Sequence, residues 1–235
     1  MSKKVILLFL LFQLLSCAEL NQVIQTLPNQ GLTNEQIAGG LKQALDKGIT
    51  EQVSLLAVKD GFYKNEMVKI LLPPELQKVD QTLRKIGLSQ VADEGLKVLN
   101  RAAEDAVSQA TPIFVDAIKE LTFQDAKNIL LGDKNAATSY LQQKTNAALY
   151  QKFNPVIKNS FQKVGADQIW SNIITKYNAL PLTTDVNPDL TDYVTNEALK
   201  GVYKMIEVEE LKIRSDLNSR TTDLLKKVFA LQDKI

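Results

Sequence analysis

Glu209 has the greatest chemical potential in this sequence, because helical periodicity turns it toward the inside of its own helix. On a wheel begun at Leu190, Val194, Ala198, Leu199, Gly201, Val202, Met205, Ile206, Val208 and Ile213 fill one half of the circumference, and Glu209 falls at its centre. A carboxylate facing a core is costly unless it is paired or protonated. Arginine suits the pairing, since its planar fork meets a carboxylate at two points, and the chain has only Arg84, Arg101, Arg214 and Arg220. Arg101, inside Asn100-Arg101-Ala102-Ala103-Glu104, is the natural partner if a second layer of helices covers its face. On an open face it would instead pair with Glu104 or Asp105 along the helix. An Arg101–Glu209 cluster would be either an ion pair fixing helix register or a ligand-binding or proton-handling carboxylate.

Other chemistries are excluded by what the sequence lacks. There is no histidine, and Cys17 is the sole cysteine. Histidine-dependent triads, a thiol nucleophile in the folded domain and the usual zinc sites are therefore ruled out. Gly132-Asp133-Lys134 lacks the glycine spacing of a phosphate loop. Asp189-Leu190-Thr191-Asp192 offers too few oxygens for a calcium loop, and no glycine-flanked serine resembles a nucleophile elbow. No cofactor or metal is implied. The 28 basic and 27 acidic residues nearly cancel, which leaves no electrostatic footprint for nucleic acid.

The first seventeen residues, MSKKVILLFLLFQLLSC, combine a basic start with an apolar run from Val5 to Leu15. That run is too short for a bilayer, which needs about 20 residues, and it reads as a secretory signal. Leu14-Leu15-Ser16-Cys17 resembles the bacterial lipobox, in which the cysteine becomes the lipid-bearing first residue. The expected organisation is a signal peptide over 1–16, a lipid-anchored tether over 17–32 and a single helical domain over 33–235. Several acyl chains, each methylene contributing about 0.8 kcal/mol, make a durable anchor. Ala18, where inner-membrane lipoproteins of enteric bacteria carry aspartate, points by analogy to the outer membrane, facing the periplasm.

The elements that must position these residues are helices, and the expected fold is an all-α bundle of eight or nine helices around two long ones. Ser89 to Ala110 is the first long helix, with Ala92, Gly95, Ala102, Ala106 and Ala110 central to its apolar face, and Pro112 marks a kink or restart. Leu190 to Arg214 is the second. Thr33-Asn34-Glu35-Gln36 has capping-box spacing, opening a helix that stops at Gly48, and a further helix runs from Thr50 to Lys59. Pro74 starts another that Gly87 stops, and Thr122 opens one that Gly132 ends. Asp133 caps the next, which Asn154-Pro155 interrupts before it resumes to Gly165. Asp167 opens a helix through Trp170 and Tyr177, a loop follows to Pro188, and a last helix begins near Thr221. Gly61 to Pro74 alone does not read as helix. Its alternation around Val68, Ile70 and Leu72 suits a short extended segment near residues 67–72. That segment is either a binding loop with Phe62, Tyr63 and Lys69 as contacts, or a connector packed on the bundle.

Several stretches carry a family resemblance: GLKQAL at 40–45, VKILLP at 68–73, NRAAEDA at 100–106, DAKNILLGDKNAATSYL at 125–141, DLTDYVTNEALKGVYKMI at 189–206, EEL at 209–211 and RTTDLLKKVF at 220–229. In these the chain resembles the bacterial family known as domain of unknown function 4197. Leu72 and Pro74 depart from the isoleucine and single proline usual there. The resemblance implies an exported, mainly helical domain and carries no activity across. Three roles stay open: a non-catalytic binding or structural module of the envelope, a carrier of a small apolar ligand in an interhelical cavity, and an enzyme using a buried Glu/Arg pair. The partners each implies are the membrane through its anchor, an envelope protein, or an apolar ligand.

Overall fold

The computed structural model describes residues 32–85, 87, 89–168, 171, 175 and 189–234. Cys17, the leader and most of the tether, most of the helix expected through Trp170 and the loop to Pro188 lie outside the described residues. Eight α-helices are defined among those described: α1 Asn34–Leu56, α2 Pro74–Lys85, α3 Ser89–Val107, α4 Ala110–Glu120, α5 Phe123–Leu131, α6 Ala136–Val164, α7 Leu190–Ser215 and α8 Asp223–Phe229. The architecture is an all-α bundle. The long helix α6 runs along its middle with α3, α4, α5 and α7 against it, while α1 packs on α4, α5, α7 and α8.

The predicted caps form. The Thr33 hydroxyl accepts from the Gln36 amide at 3.3 Å while the Gln36 side chain accepts from the Thr33 amide at 2.8 Å. Thr122 and Asp125 repeat the arrangement at the start of α5. Asp189 caps α7 through the Thr191 and Asp192 amides, and Thr222 caps α8 through Leu225.

Three expected breaks fall elsewhere. Gly48 does not stop α1, which runs 23 residues to Leu56; instead a Cβ there would touch the Glu209 side chain at 3.4 Å. Asn154-Pro155 does not divide α6, whose 29 residues make it the longest helix. Pro155 is on the exposed face, where water can serve the carbonyl it leaves without a helical partner. The helix ends at Gly165, whose φ of 66° is the left-handed conformation glycine adopts without a Cβ penalty. The restart expected at Pro112 occurs slightly earlier. α3 ends at Val107 and α4 begins at Ala110, so the proline sits in a first turn, where an amide donor is not needed.

The buried face of α3 is rotated from the one periodicity suggests. Ala92, Leu96, Leu99, Ala102, Ala103, Ala106 and Val107 are buried, as are Asn100 and Glu104, while Gly95 is exposed with nothing near it. Small residues there do admit a close neighbour, α6, but the rotation toward Asn100 and Glu104 has a polar cause. Residues 57–73 lie over that side of the helix and are hydrogen-bonded to it.

Candidate functional site

Residues 57–73 leave the end of α1 in a series of turns and reach α2 in irregular backbone with no ladder. The turns satisfy the Gly61, Lys64, Asn65, Val68 and Lys69 amides within the segment, and the amides left over need partners outside it. Glu104 supplies most of them. One carboxylate oxygen accepts from the Phe62 and Tyr63 amides at 3.1 and 3.2 Å, and the other from Asp60 at 3.2 Å. Further along, the Asn100 carboxamide pairs with Ile70 as a neighbouring strand would, accepting from its amide at 2.8 Å and donating to its carbonyl at 2.9 Å.

Arg101 completes this cradle. Its guanidinium donates to Glu104 and to Asp60, the latter at 2.5 Å. Burial works against that charge, but the hydrogen bonds to Glu104 and Asp60 outweigh it and hold the guanidinium above its ordinary pKa. Asp60 sits at a φ of 70°, a left-handed position that a short polar residue tolerates. The hydrogen bond from Lys64, opposed by some desolvation and aided by Arg101, keeps its carboxyl below the usual range.

The segment is also pressed onto α7. Phe62 is fully buried, with its ring where a Cβ on Gly201 would lie only 2.6 Å from it. Val68 and Ile70 point inward, while Met67 and Leu71 are more than half exposed. Of the three contacts expected for a binding loop, Phe62 is therefore a core anchor and not a surface residue. Tyr63 and Lys69 are half-buried, with the Lys69 ammonium 4.8 Å from the Tyr63 ring. Beside the segment, an open groove of about 720 Å³ has Lys59, Lys64, Lys97, Arg101 and Lys163 interleaved with Asp60, Glu94 and Asp105.

Arg101 and Glu209 do not meet. Glu209 is half-buried, 3.7 Å from Lys212, and accepts from the Gln52 side-chain carboxamide at 3.3 Å. The wheel places it correctly on the α1-facing side of α7. Gly48 leaves room there for the carboxylate to reach lysine and glutamine, so no arginine is required. The buried acid is its neighbour, Glu210, which accepts from the Ala137 and Thr138 amides and the Thr138 hydroxyl at 2.8 to 2.9 Å. It thus caps α6 from another helix, replacing the expected Asp133; the local cap, Asn135, makes no side-chain bond.

Arg214, four residues on, holds Glu210 at 2.9 and 3.0 Å and turns its other donors to the Ile129 and Leu130 carbonyls at the end of α5. One ion pair closes both sides of the α5–α6 turn. Arg220, 2% exposed, does the same for α7, donating to the Ile213 and Arg214 carbonyls and to both oxygens of Asp233. Sequence reasoning missed Glu210, Arg214 and Arg220 as a cluster, although Glu210–Arg214 has the i, i+4 spacing of a helical ion pair.

Between α1, α6, α7 and α8 lies a cavity of about 30 Å³, walled by Leu41, Leu45, Ile49, Ile206, Ile213 and Phe229. It lies away from the small-residue face of α3. No cluster of metal-ligating side chains and no helix long and apolar enough to cross a membrane occurs among the described residues. No curated protein and no solved structure matches the chain. A family model, described as Protein of unknown function (DUF4197), matches residues 31–230. The chain belongs to that family.

Proposed function

We propose that the protein is an exported, lipid-tethered module of the bacterial envelope that works by binding rather than by catalysis, and that residues 57–73 form its contact surface. The observation that carries this reading is the occupancy of its buried carboxylates. Glu104 and Glu210 are filled by backbone amides and arginines, which leaves neither placed to take a proton from a substrate. The segment that Glu104 and Asn100 secure is held in place before any partner arrives, so little ordering cost remains on binding. It presents Met67 and Leu71 to solvent beside a groove of mixed charge.

A carrier of apolar cargo is less well supported, because a small-molecule pocket needs about 300 Å³ or more and the interior cavity is near 30 Å³. The leader and the Leu-Leu-Ser-Cys17 sequence support the tether, and Ala18 supports the outer membrane by the same analogy as before.

Palmitate labelling with membrane fractionation tests the anchor: wild type incorporates label and sediments with membranes, Cys17→Ala does neither. A photo-crosslinking residue at Met67 or Leu71, in the native envelope, tests the surface. A discrete adduct shared by both positions and lacking at Leu217 is expected; identical background at all three would contradict the proposal.

A further inference from the structure

We propose that the C-terminal strap, Arg220 to Lys234, is a lid that opens as a unit from a bundle that stays folded, baring the stripe of α1 between Gly40 and Gly48. Arg220 and Asp233 stand at the two ends of the strap and are joined at 2.5 and 2.8 Å. The strap is therefore a loop closed on itself by one ion pair. The same guanidinium fastens the loop to α7 through the Ile213 and Arg214 carbonyls at 3.1 and 3.0 Å. Gln232 adds a second fastening, accepting from Arg214 at 2.8 Å and donating to its carbonyl at 3.1 Å. Between these ends α8 rests on α1, burying Leu225, Val228 and Phe229, with Val228 and Leu224 filling the space a side chain at Gly40 would take.

Three features make this unit the first to open. Its apolar hold is five side chains, Leu224, Leu225, Val228, Phe229 and Leu231, its polar hold converges on Arg220 and Arg214 apart from Lys47 at the Thr221 hydroxyl, and beneath Phe229 lies the cavity of about 30 Å³, where packing is incomplete. Sparse burial and few independent fastenings define segments of low local stability. Closed, the strap puts Leu224 and Val228 at Gly40 and Phe229 in the wall of the cavity that Leu41, Ala44 and Leu45 also line; open, it uncovers that side of α1.

The latch also has a pH sense. Asp233 faces Arg220. The nearby charges on the packed elements are Arg214 and Glu210 of α7, Lys47 of α1 at the Thr221 hydroxyl, and the Asp223–Lys226 pair on α8. The hydrogen bond from Arg220 holds the Asp233 carboxyl below its usual range, against some desolvation. The latch is thus complete above the ordinary aspartate pKa and is released as pH falls through the lowered one.

Hydrogen exchange with mass spectrometry on the full mature chain, in a Cys17→Ala background, tests the lid. At pH 7, Asp233→Asn is expected to raise exchange at least 10-fold over 221–234 and over α1 residues 40–48, with α6 and α7 unchanged. A uniform rise through the bundle, or no rise, overturns the proposal. A staple provides the second arm. A Cβ at Gly40 lies 3.5 Å from that of Val228, within disulfide range, so Gly40→Cys with Val228→Cys should join on oxidation. Joined, they should abolish the Asp233→Asn effect and the accompanying binding of the apolar dye anilinonaphthalene sulfonate, and reduction should restore both. Thiols that fail to join would show that the closed strap does not lie on Gly40, and dye binding that survives the staple would show that the lid is not what opens; either result overturns the proposal.

Discussion

Glu104 and Glu210 are two buried carboxylates doing related work at separate places, and they differ in what depends on them. Each gathers successive backbone amides and one arginine. Glu104 holds a segment that has no regular structure of its own, and its bonds reach no other element besides its own helix. Glu210 closes the start of the longest helix while its arginine closes the end of α5 and reaches Gln232 near the C-terminus. Similar chemistry therefore yields a local fastening in one case and a junction of several elements in the other. A buried acid does not indicate a reactive site when its acceptors are met by main-chain donors.

The comparison is sharpest in its largest effect. Glu210→Ala leaves a nearly buried guanidinium and the first α6 amides without their acceptor, and should cost about 3–5 kcal/mol of global stability in urea unfolding. Glu104→Ala strands the Asp60, Phe62 and Tyr63 amides and should cost less, about 1–3 kcal/mol, with the loss concentrated in residues 57–73. Equal losses, spread alike through the chain, would erase the distinction drawn between them. Gly201→Ala pushes against the Phe62 ring, and should cost about 1–3 kcal/mol by overpacking while loosening the same segment without touching Glu104. Thr122→Ala removes a cap that serves neither region, and about 1 kcal/mol is expected.

The smallest expected effect is in the acid limb of the stability profile. Asp60 and Asp233 both have carboxyls held below the ordinary value, by Lys64 and Arg220 respectively. Their contributions are present above the ordinary aspartate pKa and fade as pH falls through the lowered ones. Urea midpoints measured from pH 7 down to pH 3 should decline, and less so in Asp233→Asn, which has no charge to lose there.

Much of the fold is legible in the sequence because it rests on local signals: the Thr33 and Thr122 boxes, Pro74 at a first turn, Gly132 and Gly165 at ends. The misplaced breaks at Gly48 and Asn154-Pro155 have a common cause. Tertiary packing on one side and hydration on the other decide whether a helix tolerates such residues, and neither is written in the neighbouring residues. Glu209 illustrates the limit at the level of the site. Periodicity places it on the α1-facing side, yet the small Gly48 across from it is what lets its carboxylate reach Lys212 and the Gln52 carboxamide, while Glu210, at the margin of the same wheel, meets the α6 amides. Amide donors far away in sequence leave no trace of charge, so a search for countercharges passes over them. Phe62 was legible as an aromatic on a loop, but only the close approach at Gly201 reveals it as an anchor.

Residue-resolved amide exchange at Phe62 and Tyr63, followed by NMR in the wild type and in Glu104→Ala, tests the central claim most directly. Protected amides in the wild type that exchange at least tenfold faster in the variant, with the α3 amides unchanged, are the predicted result. Phe62 and Tyr63 exchanging at the unprotected rate in the wild type would contradict it.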